Sequence, residues 1–181
     1  MKIFKKLSAW DYVIYSSVII VGIIADQITK LLASIYLKPI VTQPIIKDAI
    51  HLTYVENRGA AFGMLADRRE IFIILSTVTI VGILVFLYLG HVEKRSHAVA
   101  LSMIISGGIG NMIDRLALGY VVDFIDCRFV KYPVLSGGEW RWTSFPVFNG
   151  ADSFVCVGAA LLVILLIRDM IEESKNIKRT K

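Results

Sequence analysis

A chain of 181 residues has the length of one domain, and its 56% apolar composition and mean hydropathy of +0.66 exceed those of soluble globular domains. Only 19% of residues are charged, and they are gathered so as to leave long uncharged runs, which excludes soluble-enzyme, disordered and collagen-like classes. The net charge of +5 comes with no basic groove or nucleic-acid motif, so it reads as basic flanks facing anionic lipid, and no nucleic-acid partner is expected.

In chain order, four apolar runs approach the roughly 20 helical residues that a bilayer core requires. The expected spans are about 12–33, 71–89, 98–113 and 153–168 in a single integral membrane domain covering 1–181. The first is interrupted by Asp26 and Lys30, the second is the cleanest, the third is loosened by Gly107, Gly108 and Gly110, and the fourth lies between Asp152 and Arg168. The basic start followed by an apolar run resembles a signal peptide, but three later spans make it an anchor. Basic residues crowd the short segments at Lys2 to Lys6, Lys94–Arg95 and Arg168 to Lys181, so both termini are expected on the cytoplasmic side. The long loops, 38–70 and 114–152, then lie together on the outer face. Loop one carries β-branched stretches, Ile40 to Ile46 and Ile50 to Val55, that predict a small β element. Loop two is aromatic, with Phe129, Tyr132, Trp140, Trp142, Phe145 and Phe148, as suits a headgroup belt. The fold class expected is thus an all-α membrane protein of four transmembrane helices with this β element and this aromatic loop.

Ionisable groups in or beside such spans are costly, by about 3 kcal/mol at mid-membrane, and therefore draw attention. Asp26 and Lys30, four apart, share a helical face in the favourable acid-before-base order, which is also what a purely structural ion pair looks like. Asn111, Asp114 and Arg115 follow the glycines of the third run and fall within reach of one region; the glycines serve close helix packing or the approach of an extended substrate. Asp123, between Val122 and Phe124, is expected to be desolvated, which favours its neutral form, while Asp152 is expected at the start of the last helix, where backbone N–H groups favour the ionised form. If the two meet they can share one proton; otherwise Asp152 is an N-cap and Asp123 an unrelated loop acid. His51, His91 and His97 are scattered, Cys127 and Cys156 form no framework, and Ser102 and Ser106 lack a neighbouring base, so no metal, cofactor or serine nucleophile is expected. A cation-coupled transporter using Asp26, Asp114 and Asp152, and a tetraspan scaffold without catalysis, are the competing readings.

The blocks Asp26-Gln27-x-Thr29-Lys30, Asn57-Arg58-Gly59-Ala60-Ala61-Phe62, Gly107 through Asn111-x-Ile113-Asp114-Arg115, Val121-Val122-Asp123-Phe124 and Phe148-Asn149-x-Ala151-Asp152 together resemble lipoprotein signal peptidase, the signal peptidase II family. The resemblance implies a bacterial inner-membrane aspartyl endopeptidase that cuts prolipoproteins before a diacylglyceryl-modified cysteine, near the outer face and without a cofactor. It implies Asp123 and Asp152 as the catalytic dyad, and Asn57, Gly107, Asn111, Arg115 and Asn149 as residues that shape the site or bind substrate. Asp26, Lys30, Gly59 and Asp114 would support it. Partners would be lipidated prolipoprotein signal peptides and membrane lipids, with the enzyme a monomer. One departure is the 29-residue interval from Asp123 to Asp152, longer than the resemblance leads one to expect, with the extra length in Cys127 to Pro146.

Overall fold

The computed structural model describes residues 8–59, 69–89, 92, 94–133 and 140–179. The elements in order are α1 (Ala9–Tyr36), β1 (Thr42–Ile46), β2 (Ile50–Asn57), α2 (Arg69–Tyr88), α3 (Arg95–Ala117), β3 (Val121–Pro133), β4 (Trp140–Ser144) and α4 (Gly150–Arg179). Among the described residues, four helices are long and apolar enough to cross a membrane. Helices α1, α3 and α4 run past the expected spans at both ends, whereas α2 begins two residues before its expected span and ends one residue short of it.

Helix α1 shows how the membrane inverts ordinary patterning. Its buried positions are Asp11, Tyr15, Ile19, Gly22, Asp26, Lys30 and Ala33, continued just beyond its end by Leu37, a single stripe at spacings of three or four. Polar side chains occupy the inside of that stripe, while Val13, Ile20, Val21, Ile24, Ile28, Leu31 and Ile35 are exposed, as a helix standing in hydrocarbon requires. Its start is a capping box: the Asp11 N–H donates to Ser8 Oγ at 3.2 Å and the Ser8 N–H donates to Asp11 Oδ2 at 2.9 Å.

The chain divides into two compact units. One contains the described parts of Met1–Ile24, Leu75–Ile109 and Ala151–Lys181 and is built on small residues. A Cβ on Gly22 would overlap Ser106 Oγ, one on Gly107 the carbonyl oxygen of Ala151, and one on Gly158 would stand 2.8 Å from the Ala100 carbonyl oxygen. Ser16 and Tyr88 share a hydrogen bond of 2.8 Å, and Arg95 Nε donates to Asp11 Oδ1 at 2.7 Å.

The other unit, Ala25–Ile74 with Gly110–Gly150, contains every strand among the described residues. The two stretches predicted for loop one form the β1–β2 hairpin, but the expectation of an all-α chain with a β element confined to that loop needs correction. The sheet has four antiparallel strands in the order β1-β2-β3-β4, and β3 and β4 come from the second loop. The β-branched and aromatic run that begins at Val121 supplies the strand propensity. Most of the extra length at 127–146 is the β3–β4 hairpin, paired from Arg128↔Ser144 to Pro133↔Trp140. The side chains of Phe129, Tyr132, Trp140 and Trp142 lie outside the described residues, as do Ala60, Ala61, Phe62 and His91. The unit's core is Ala33, Leu37 and Val122, with Leu52, Tyr54, Tyr120 and Phe124 packed against it. Gly119 turns the chain from α3 into β3 at φ 85°, a conformation that costs a side-chain-bearing residue about 1–2 kcal/mol.

Candidate functional site

Strand β3 delivers Asp123 to the interior of the second unit, at 2% exposure. Both of its carboxylate oxygens accept amide hydrogen bonds: Asn57 Nδ2 donates to Oδ2 at 2.8 Å, and Asn149 Nδ2 donates to Oδ1 at 2.7 Å. Each amide is itself oriented. The Gly59 N–H donates to Asn57 Oδ1 at 3.0 Å, which fixes the carbonyl end of that side chain and turns its NH2 toward Asp123. Asn149, fully buried, also faces Asn111 Oδ1 at 3.0 Å and the Val122 carbonyl at 3.3 Å. The segment before α4 is held to β3 through Phe148, whose N–H donates to the Ile125 carbonyl at 3.1 Å and whose carbonyl accepts from the Ile125 N–H at 2.8 Å. That pairing sets Asn149 beside Asp123. The burial expected of Asp123 is present; the two amide donors, which stabilise a carboxylate and so oppose the effect of burial, were not foreseen.

Behind this clamp is a buried ionic cluster centred on Lys30, 3% exposed. Its Nζ lies 2.9 Å from Asp26 Oδ2 and 3.0 Å from Asp114 Oδ2, and donates to Asn111 Oδ1 at 2.9 Å. The i, i+4 pair expected on α1 is therefore real, but it is joined by a second acid from α3. Gln27, whose role the sequence pattern does not reveal, donates from Nε2 to Asp114 Oδ1 at 3.0 Å and to the Gly110 carbonyl at 3.2 Å. Its signal was its position: an amide beside Asp26 in an otherwise apolar run. Asp114 Oδ2 also accepts the Val122 N–H at 3.0 Å, tying the end of α3 to the start of β3. Lys30, Asn111, Asn149 and Asp123 thus form one chain of hydrogen bonds running from an ammonium to a carboxylate. Arg115 takes a different direction from its neighbours, its guanidinium resting 5.1 Å from the centre of the Phe72 ring.

Asp152 lies in the first turn of α4, half-buried, within the first unit. Gly107 is in that unit too. The overlap that a Cβ there would have with the Ala151 carbonyl oxygen makes close helix packing its evident task, since any side chain there displaces the turn that carries Asp152. Gly107→Val is accordingly expected to lower stability by about 1–3 kcal/mol through overpacking, read as a drop in the thermal midpoint in detergent, while Gly82→Val, where a Cβ would meet nothing within 4 Å outside its own turn of helix, leaves it nearly unchanged.

The exposed groups flanking Asn57 on the sheet offer no acid or base for neutral pH. Lys38 and Glu56 pair at 2.9 Å; the hydrogen bond from Lys38 is the main cause that holds the Glu56 carboxyl below its usual range, and the same bond raises Lys38. Tyr120 is pushed up to about 12, first by its hydrogen bond with Tyr54 and then by burial.

The model of the family described as signal peptidase (SPase) II matches residues 18–168. The chain belongs to the signal peptidase II family. It is 48% identical over 143 residues to a lipoprotein signal peptidase of Caldanaerobacter subterraneus subsp. tengcongensis, covering 78% of this chain and 88% of that relative. To a lipoprotein signal peptidase of Halothermothrix orenii it is 45% identical, covering 82% and 92%. A solved bacterial membrane enzyme superposes with a TM-score of 0.73 at 28% identity, over 93% of this chain and 94% of the other. Membership makes the chain a peptidase, and it sets the buried carboxylate, its amide clamp and the acid in the first turn of α4 within the stretch that the family shares.

Proposed function

We propose that this peptidase removes signal peptides from diacylglyceryl-modified prolipoproteins, cutting before the lipidated cysteine, with Asp123 and Asp152 as an aspartyl dyad. The observation that carries the reading is Asp123: a buried carboxylate held at both oxygens by Asn57 and Asn149, with Asp152 only three residues beyond Asn149 along the chain. The names of the relatives supply the substrate class.

In this mechanism the dyad holds one proton. The ionised aspartate takes a proton from water as the water oxygen attacks the scissile carbonyl carbon, and the protonated aspartate donates to the carbonyl oxygen. The tetrahedral intermediate collapses, the C–N bond breaks, and the amine of the new N-terminal cysteine leaves with a proton. No cofactor enters these steps. Asn57, Asn111 and Asn149 orient the acid, Arg115 contacts substrate, Gly107 lets α4 approach, and Asp26, Lys30, Gly59 and Asp114 keep the clamp in register. The enzyme is read as a monomeric single-domain protein of the bacterial inner membrane, with both termini cytoplasmic, the site near the outer face, no nucleic-acid partner, and the aromatic outer loop at the headgroups. Because acyl chains moving from lipid into a groove gain less than the roughly 0.8 kcal/mol per CH2 of transfer from water, recognition rests on fit and polar contacts.

The test is cleavage by the purified full chain of matched lipidated and unlipidated precursors, with the products weighed by mass spectrometry. A product beginning at the modified cysteine, formed from the lipidated precursor only and insensitive to chelator, is expected. Equal cutting of both precursors removes the lipid requirement, and a product starting elsewhere removes the assignment of the scissile bond.

A further inference from the structure

The last turn of α3 sends its two charged side chains in different directions. Asp114, 3% exposed, has its carboxylate taken up by Lys30, Gln27 and the Val122 N–H, on the side of the buried cluster. Arg115 is the next residue, about 100° further round the helix, so the two charges do not face each other. Its guanidinium carbon rests over the Phe72 ring, 5.1 Å from the centroid, and Nη1 donates to the Asn111 carbonyl at 3.4 Å. The Asn111 side chain is the link from Lys30 to Asn149, and through Asn149 to Asp123. Phe72 and Arg115 both belong to the unit that contains the amide clamp.

Phe72 stands in the first turn of α2, outside every block that carries the resemblance to the family. Its direction follows from the helical period. Ile71, Ile74 and Leu75 are exposed, whereas Phe72, Ile73 and Ser76 are half-buried, so the ring is on the face that α2 turns toward the protein. An aliphatic residue could fill that place as Ile73 does. What an aromatic ring adds is a negative face for a cation.

That face suits a residue whose charge is to be kept for a ligand. An arginine side chain has several rotatable bonds, and its rotamer entropy opposes holding it in one orientation. At 3.4 Å the hydrogen bond to the Asn111 carbonyl is at the long end of the range and gives little direction. A carboxylate partner would fix the guanidinium but neutralise it and take up its N–H fork, whereas a ring attracts the cation without cancelling its charge. We infer that Phe72 is a positioning residue for substrate: it presets the still-charged Arg115 guanidinium, so that the precursor meets it in one orientation and less is lost to ordering on binding. The inference rests on the reading of Arg115 as a substrate contact. It places Phe72 in binding and outside the two proton transfers, so its loss belongs in KM and not in kcat.

The test measures KM and kcat of the purified full chain on the lipidated precursor, with circular dichroism and the thermal midpoint as checks of folding. Phe72→Leu, which keeps an apolar side chain and removes the ring, should raise KM about three- to tenfold and leave kcat within about twofold. Phe72→Tyr, which keeps the ring, should recover most of that loss. In an Arg115→Ala background, where KM is already raised, Phe72→Leu should add nothing further, because the ring then has no guanidinium to hold. If Phe72→Leu loses helicity, a ring-fluorinated phenylalanine at position 72 decides the matter. Fluorination keeps the ring's shape and drains its negative face, so KM should rise by at least about twofold, whereas a ring that served packing alone would leave it unchanged. An equal rise in KM from Phe72→Leu in both backgrounds, or an unchanged KM in the folded Phe72→Leu or fluorinated enzyme, overturns the inference and leaves Arg115 a substrate contact. An unchanged KM in Arg115→Ala overturns that reading and the inference with it.

Discussion

Asp123→Asn and Asp152→Asn are each expected to reduce the rate of precursor cleavage by at least about a thousandfold, because each removes one of the two proton transfers on which the proposed reaction depends, and each transfer is worth about 10²–10⁴. The two variants should nevertheless differ in stability. At position 123 both oxygens accept from amide NH2 groups, so an asparagine there turns its own NH2 toward Asn57 or Asn149. Neither neighbour is free to flip: Asn57 Oδ1 is held by the Gly59 N–H, and the Asn149 NH2 also faces Asn111 Oδ1. One donor is left opposing another in a buried site, at a cost of about 1–3 kcal/mol. Asp152 is half-buried in the first turn of a helix, where asparagine remains an acceptable residue, so its replacement should shift the melting midpoint far less. Initial rates and thermal melts of the two variants decide the question together. If a folded Asp123→Asn enzyme keeps its rate within tenfold of the parent, Asp123 is not part of the chemistry.

The parts of this fold that were legible in the sequence are those written in local pattern. Four apolar runs gave four helices, the β-branched stretches Ile40 to Ile46 and Ile50 to Val55 gave a hairpin of strands at 42–46 and 50–57, and a spacing of four placed Asp26 against Lys30. The β3–β4 hairpin was missed because Cys127 to Pro146 was read through its aromatic content, as a membrane belt. Its alternation was the better guide, since strand propensity and interfacial preference favour the same residues. The site was legible as a set of residue types, with Asn57, Asn149 and Asp123 all singled out, but not as a geometry. Which acid Lys30 would choose, and which way each amide would face, depend on partners 66 to 87 residues away, such as Asn57 for Asp123 or Gln27 for Asp114. Local flanks pointed to a desolvated Asp123 and could not reveal the two N–H donors that oppose that effect.

Lys30→Met is expected to be the most damaging single change outside the proposed dyad. One ammonium serves Asp26 Oδ2, Asp114 Oδ2 and Asn111 Oδ1 within 2.9–3.0 Å, all within the buried part of the unit. A methionine of similar length fills the volume but leaves two carboxylates facing each other without a cation, and breaking a buried ion pair from one side costs about 3–5 kcal/mol. In a chain of this size that corresponds to a fall of about 10 °C or more in the thermal midpoint. The cost is electrostatic, so it should be partly repaired by neutralising one acid: the double variant Lys30→Met with Asp26→Asn is expected to melt above Lys30→Met alone, although methionine is present in both. A steric cause would make the double variant no better than the single one. The same substitution takes the ammonium from Asn111 Oδ1 and so loosens the register of Asn149, whose NH2 also donates to that oxygen and reaches Asp123 at 2.7 Å. Cleavage should therefore be slowed even at temperatures where Lys30→Met remains folded, and recovered stability in the double variant should not fully restore the rate, because Asn111 still lacks its ammonium. Full recovery of both together would make Lys30 a residue of the fold alone, with no part in aiming the clamp.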